Sequence, residues 1–328
     1  MKRIVSGIKP TGESHIGNYL GAMKLWPSFQ SDGNKVLYFV ADLHSLNTRQ
    51  DPSVLQRRTL DLIAWLLTVG VDPKRSIIMV QSMVSAHSEL CWILNNYVTM
   101  GELNRMTQFK DKAKKSSSEG QLVGLYTYPI LMAADILLYD ANEVPVGNDQ
   151  AQHVELTRVV AERFNNLYGE AFTIPKAVHT PNATRIMSLQ DPTRKMSKSE
   201  SDSSFVLLSD TKDNILDKFK RAVTDSDDKI CYDKANKPAI SNLLEIYAGF
   251  SDYQIEDIEK KYVNKGYAEF KLDLGMLVAD KLGALQESFK SIRADESKLM
   301  QIIEEGNAQA STIARKKLDE VKEKIGLL

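Results

Sequence analysis

Two short segments about half a chain apart carry residue types suited to handling phosphate. The first is Pro10-Thr11-Gly12-Glu13-Ser14-His15-Ile16-Gly17-Asn18, a turn rich in Gly and Pro followed by an imidazole and a second glycine. The second is Lys195-Met196-Ser197-Lys198-Ser199, with two ammonium groups three residues apart in a serine-flanked loop. Lysine is a flexible point charge, suited to neutralising phosphate oxygens. A loop carrying two of them can deliver charge as it develops in a reaction. Each segment alone has an ordinary explanation, a β-loop-α turn for the first and a solvated basic loop for the second. Together and in this order they suit a Rossmann-type domain that activates through a nucleotide phosphate.

The surrounding sequence supplies elements to position them. Lys2 to Ser6 reads as a strand and Gly7 to Gly12 as turn chemistry. From Ile16, the apolar residues Ile16, Tyr19, Leu20, Met23 and Trp26 recur at helical spacing. A helix N-terminus there presents unpaired N–H groups and positive partial charge. Gly17 and Gly21 allow a nucleotide or a strand to approach that helix. Further on, strands are expected at 35–41 and 76–80 and helices at 53–69 and 89–99. Such alternation predicts a parallel sheet covered on both faces, with ligands bound beyond the carboxyl ends of the strands. Arg185 to Leu189 reads as another strand-like stretch, and Gln190 to Thr193 as the turn before the lysine loop. Ser116 to Gly120 reads as a mobile polar linker before a long apolar helix starting near Val123. After residue 200 strand signals nearly vanish, and 211–223, 239–250, 252–264, 269–288 and 296–325 all read as helices.

The fold class predicted is therefore α/β, a Rossmann-type doubly wound parallel sheet with a second, all-helical domain. A chain of 328 residues exceeds what one core usually organises, which agrees with two domains. A formal net charge of −1 gives no global electrostatic case for nucleic-acid binding, so such contacts require local patches. Lys110, Lys112, Lys114 and Lys115 form one candidate, and Lys218, Lys220 and Arg221 another. Cys91 and Cys231 lack metal-ligand spacing, so neither a disulfide framework nor a zinc site is expected. No apolar run approaches about 18 residues, and no leader segment is read at the start, so the expectation is a cytoplasmic protein without a membrane span.

Within Tyr128 to Tyr139, Tyr128, Met132, Asp135 and Tyr139 fall on neighbouring turns of one helix. Asp135 is flanked by Ala133, Ala134, Ile136, Leu137 and Leu138. A carboxylate in that setting is costly unless something donates to it. An ion pair with another helix and a ligand role are both open. Val144 to Val146 reads as a strand leading through Gly147, Asn148, Asp149 and Gln150 into a helix, with Asp149 and Gln152 in capping-box spacing.

The two phosphate-handling segments resemble the signature motifs of class I aminoacyl-tRNA synthetases. The segments 100–110, 126–139 and 144–158 make the resemblance more specific, to the bacterial tryptophanyl-tRNA synthetases, and it runs over essentially the whole chain. The resemblance implies activation of L-tryptophan with ATP and Mg²⁺, then transfer to tRNA(Trp), by a homodimer. It implies a catalytic domain at 1–200, a helical anticodon-binding domain at 201–295, and a C-terminal helix at 296–328 packing back on the first. Carried over residue by residue, it implies Lys195, Lys198 and His15 in catalysis. It places Lys9, Pro10, Thr11, Gly17, Asn18, Gly147, Asn148, Asp149, Ile186, Met196, Ser197 and Ser199, with both lysines, against ATP. It places Asp135 on the indole N–H, with Tyr128, Met132, His44, Val144, Val146 and Gln150 around tryptophan, and reads His153 and Arg158 as structural. His87 and His179 carry no signal. An indole offers one donor and no acceptor, which suits an acceptor-only carboxylate. Tyrosine also offers a donor, so pocket shape must exclude it. The chain departs from the family pattern at Lys9, where glutamine is common, at Val5, where phenylalanine is common, and at His15, where threonine is frequent.

Overall fold

A computed structural model describes residues 2–31, 33–106, 122–147, 150–178 and 184–328. In chain order the elements are β1 (Arg3–Ile8), α1 (Ile16–Gly21), α2 (Trp26–Phe29), β2 (Lys35–Val40), α3 (Pro52–Thr68), β3 (Ser76–Val80), α4 (Ala86–Leu94) and α5 (Met100–Asn104). There follow α6 (Val123–Leu137), β4 (Glu143–Pro145), α7 (Ala151–Tyr168), β5 (Lys176–Val178) and α8 (Lys212–Arg221). The last are α9 (Pro238–Phe250), α10 (Ile255–Lys261), α11 (Tyr267–Ala294) and α12 (Glu296–Lys324). Among the described residues no helix is long and apolar enough to cross a membrane.

The chain forms two compact units, and neither is a continuous stretch. One comprises residues 1–11, 27–181 and 295–328; the other comprises 12–26 and 182–294. A cut at residue 200 divides the chain differently, because the first signature segment leaves the sheet unit after Thr11 and pairs with residues near 206. Asn148, Asp149, His179, the serine-rich stretch at 116–120 and the lysines of 110–115 lie outside the described residues.

The first unit holds a five-stranded parallel sheet in the order β3-β2-β1-β4-β5. Registers such as Ile4 opposite Val36, Val36 opposite Ser76 and Val144 opposite Ala177 align its carboxyl ends. Successive strand residues are buried in turn, which is the pattern of a sheet covered on both faces. Val5, Leu37, Phe39 and Met79 pack into one core with Leu90, Ile93, Ile130, Ala134, Leu137, Val160 and Phe164 of α4, α6 and α7. The strand order reverses between β1 and β4, where open α/β sheets bind ligands. The open edge of β3 is closed by α12. A Cβ at Gly306 would lie 1.8 Å from the Ile78 carbonyl oxygen, so only glycine permits the approach. The neighbouring Asn307 accepts from the Val80 N–H at 3.2 Å. An edge strand thus gains a partner for one of its free backbone groups.

Two expectations change here. Arg185 to Leu189 forms no strand, only an antiparallel bridge between Met187 and Lys195, because the side chain of Asn242 takes up both backbone groups of Met187. β5 is a strand of only three residues that the periodicity does not signal.

The second unit is helical. Its first segment is held by strand-like pairing: Ile16 N–H donates to Val206 O at 2.9 Å and Leu208 N–H to Ser14 O at 2.8 Å. The helix expected from Ile16 through Trp26 is broken, with α1 ending at Gly21 and a 3-10 turn at Met23–Leu25. Tyr19 stacks on Phe250 with ring centroids 5.5 Å apart, which docks α1 on α9. The lysine cluster near 218 is not a free basic patch. Lys218 is 4 % exposed and ion-pairs with Asp210 at 2.8 Å and Asp202 at 3.1 Å, while Arg221 pairs with Asp217.

Candidate functional site

Within the sheet unit, the carboxyl ends of the strands converge on one buried carboxylate. Asp135, on α6, is 1 % exposed. Its Oδ2 accepts from His44 Nε2 at 2.8 Å, and its Oδ1 accepts from Gln81 Nε2 at 2.6 Å and His87 Nδ1 at 2.7 Å. His44 lies in the 3-10 turn just after β2, and Gln81 opens the turn just after β3. Asp42 ties these two turns together, accepting from Leu43 N–H at 3.0 Å and from Ser82 N–H at 2.9 Å. Burial works to raise the Asp135 pKa, but the hydrogen bonds from His44 and His87 outweigh it and hold the carboxyl at about 2. The group is therefore ionised and acceptor-only at neutral pH. The nearby Cys91 thiol is pushed up to about 11 by burial and by the Asp135 charge, which leaves it a protonated core side chain.

Two acceptor atoms beside this carboxylate lack partners. His44 Nδ1 and Gln81 Oε1 are buried with no hydrogen bond. Orphaned buried polar atoms are costly, each by about 1–3 kcal/mol, and concentrate where a ligand binds.

Other candidates cluster on the same unit. Lys9, just past β1, has its ammonium 5.4 Å above the Tyr128 ring, so this charge is held against an aromatic face. Pro10 is buried and Thr11 exposed. Tyr128 bonds through its hydroxyl to His153 Nε2 at 2.9 Å, and His153 Nδ1 meets Gln150 Oε1 at 2.9 Å. Met132 and Val146 are half-buried against the core that contains Val144. Gly147 is exposed, and its carbonyl accepts from Gln150 N–H at 2.9 Å. The N-cap of α7 is Gln150. Arg158 anchors the chain through the Pro175 carbonyl at 2.7 Å.

The sequence reading missed two residues here. Gln81 follows β3 as His44 follows β2, so its place at a strand's carboxyl end was a usable signal. His87 had no signal beyond being a histidine in an apolar helix. His153, read as structural, holds Tyr128 and Gln150 through its two ring nitrogens.

The second unit holds the other phosphate-handling residues. Gly12 adopts φ +71°, and a Cβ on it would lie 2.5 Å from Lys198 Nζ. Lys198 donates from Nζ to the Glu13 carbonyl. The lysine loop is thus docked on the turn of the first motif. Met196 anchors it, being buried and donating its N–H to Ile186 O at 3.1 Å. Ser197 and Ser199 bond to each other through their hydroxyls at 3.0 Å, and Lys195 is exposed. Gly17 faces the His15 ring and the Ile186 side chain. Asn18 folds back, its Oδ1 accepting from the His15 N–H at 3.1 Å. His15 is buried, with Nδ1 lacking a partner. Burial, then the charges of Lys198 and Lys195, lower its pKa to about 4. The ring is neutral at pH 7 and offers a hydrogen-bonding edge without adding charge.

The profile of the class I tRNA synthetases specific for W and Y matches residues 1–280. This chain belongs to that family. A tryptophan–tRNA ligase from Caldanaerobacter subterraneus subsp. tengcongensis is 47 % identical over 100 % of this chain and 99 % of its own. The crystal structure of tryptophanyl-tRNA synthetase from Mycoplasma pneumoniae superposes with TM-score 0.92 at 35 % identity, covering 100 % of this chain and 98 % of that one. The Campylobacter jejuni tryptophanyl-tRNA synthetase complexed with ADP and tryptophan gives TM-score 0.84 at 34 % identity, covering 99 % of this chain and 100 % of that one.

The depressed pKa of His15 has a consequence for stability. The unfolded chain takes up a proton near pH 6.5 while the folded chain resists until about 4. The contribution of a neutral His15 is complete above pH 6.5 and is lost as pH falls from 6.5 through 4, up to roughly 3 kcal/mol in total. Chemical denaturation at pH 7.5 and pH 4.5 should show a larger loss for the wild type than for His15→Asn. Equal losses would mean that the ring is not held neutral.

Proposed function

We propose that Asp135 receives the indole N–H of tryptophan and that Lys195, Lys198 and His15 act on the phosphates of ATP. The activity these residues serve is tryptophan–tRNA ligation in protein biosynthesis. A carboxylate oxygen of L-tryptophan attacks the α-phosphorus of ATP, a new P–O bond forms, and the bond to the β-phosphate oxygen breaks. Pyrophosphate leaves with that electron pair and tryptophanyl-adenylate remains. A ribose hydroxyl at the 3′ end of tRNA(Trp) then displaces AMP and gives up its proton. The attacking carboxylate is already ionised, so the first step needs no general base. Catalysis there is positioning plus stabilisation of phosphate charge.

The observation that carries the reading is the ionised, buried Asp135 carboxylate, held by three donors from the ends of β2 and β3 and from α4. We assign Tyr128, Met132, His44, Val144, Val146 and Gln150 to the tryptophan side. Lys9, Pro10, Thr11, Gly17, Asn18, Gly147, Asn148, Asp149, Ile186, Met196, Ser197 and Ser199 are assigned to the ATP side. Among the described residues no group of three or more His, Cys, Asp or Glu could hold a metal ion. Mg²⁺ is assigned to enter with ATP, as part of the substrate. The helical segment at 201–295 is assigned to the anticodon, and the cytoplasm is the site of action.

ATP–pyrophosphate exchange across the amino acids tests the substrate. Tryptophan should drive exchange and tyrosine should not; exchange driven by tyrosine would overturn the reading. Asp135→Ala should weaken tryptophan use by roughly 10–100-fold, as for loss of a charged hydrogen bond, with little change in ATP dependence.

A second prediction separates catalysis from binding. Lys195→Ala should slow adenylate formation by roughly 10²–10³-fold in single turnovers at saturating ATP and tryptophan, the scale for one preorganised electrostatic contact. Full recovery of the rate at saturating ATP would make the loop a binding element only.

Assembly as a homodimer is the third part of the proposal. Trp92 is 74 % exposed on α4 and Met100 is exposed at the start of α5, while Leu90, Ile93 and Leu94 of α4 are buried. Exposed large apolar side chains on an ordered helix suit a self-complementary interface. Sedimentation velocity at micromolar concentration should show a dimer that Trp92→Glu weakens; a wild-type monomer would refute it.

A further inference from the structure

The partners of Asp135 are unevenly divided between its two oxygens. Oδ1 accepts from both Gln81 and His87, while Oδ2 accepts from His44 alone. An ionised carboxylate oxygen has two lone-pair directions. Oδ1 is therefore filled by the protein, and Oδ2 keeps one direction for a further donor. The partner that completes Oδ1 from α4 is His87, which is 0 % exposed.

His87 is held from behind. Its Nε2 lies 2.8 Å from the hydroxyl of Tyr139, which is also fully buried. Nδ1 faces an acceptor-only carboxylate and so carries the proton it donates. The Tyr139 hydroxyl is itself seated against Met79 Sδ at 3.3 Å. Burial and the Asp135 charge raise the pKa of that phenol further, which keeps it a donor. Asp135 lies in the last turn of α6 and Tyr139 in the turn just after it, so one chain segment presents both ends of the relay.

We propose that His87 is a positioning residue for tryptophan recognition. Locked by Tyr139, it fills Oδ1 together with Gln81 and leaves Asp135 a single acceptor direction, on Oδ2, for the indole N–H. This rests on the assignment of Asp135 to tryptophan. The pocket then selects for one N–H donor in one direction. Removal of His87 frees a second lone pair, lets the carboxylate turn, and blurs that selection without touching the phosphate chemistry.

The test compares L-tryptophan with 3-(1-benzothiophen-3-yl)-L-alanine, which has the same shape and no N–H, in ATP–pyrophosphate exchange. The wild type should prefer tryptophan by about 10–100-fold in kcat/KM, and Asp135→Asn should lose most of that preference. If the wild type shows no preference, the Asp135 assignment fails. His87→Phe keeps a ring and removes the donor. It should raise the KM for tryptophan about 10-fold, change kcat less than about 3-fold, and leave the benzothiophene substrate nearly unaffected. His87→Asn, whose amide N–H can stand where Nδ1–H stands, should recover most of the preference. Tyr139→Phe, a smaller change to the same relay, should reduce the preference by several-fold. Equal losses for both substrates in His87→Phe would make His87 a structural residue only. If His87→Phe fails to fold, an unaltered preference in Tyr139→Phe overturns the proposal.

Discussion

A charged carboxylate in an apolar helix governs the sheet unit. Asp135 sits among alanine, isoleucine and leucine on α6, where an unpaired charge costs several kcal/mol. It remains ionised only because three donors reach it. Two of those donors come from turns directly beyond β2 and β3, and the third from the helix that follows. Parallel strands in register bring such turns to one edge of the sheet. The order β3-β2-β1-β4-β5 makes β2 and β3 neighbours, so the turns that follow them lie side by side. Asp42 then couples the two turns through the backbone and side chain of Ser82, so His44 and Gln81 are placed by one constraint.

The helical unit holds cations near one another. Lys198 donates to the Glu13 carbonyl oxygen of the first motif. Glycine at position 12 is required twice over, by a positive φ and by the space the ammonium occupies. Burial, and after it the same positive field, holds His15 neutral. A second cation there would add repulsion to a site already carrying two lysines.

Much of this was legible in the residues. The apolar runs at 35–41 and 76–80 and their intervening helix pointed to a parallel sheet. Asp135 stood out because its neighbours are apolar. Other features were not legible, for physical reasons. The break after Gly21 arises from docking of Tyr19 on Phe250, a tertiary contact that periodicity does not encode. Arg185 to Leu189 has strand composition, but its backbone is claimed by the Asn242 side chain. Lys218 looked like part of a basic patch because sequence shows charges and hides the partners that bury them, here Asp202 and Asp210.

His87 is the instructive miss. Its chemistry depends on two residues, Asp135 and Tyr139, that are 48 and 52 positions away. Spacing along α4 places it on the buried face, where a histidine reads as core. Burial alone, though, leaves a histidine with two polar nitrogens to satisfy, and a core of Leu90, Ile93 and Leu94 offers none. Its partners had to come from another helix. Asp135 on α6 and Tyr139 in the turn just after it offer a carboxylate and a hydroxyl to the two edges of one imidazole. A buried histidine facing an acid and a phenol four residues apart is thus a pattern of complementary donors and acceptors, and it follows from satisfying every buried polar atom rather than from any motif.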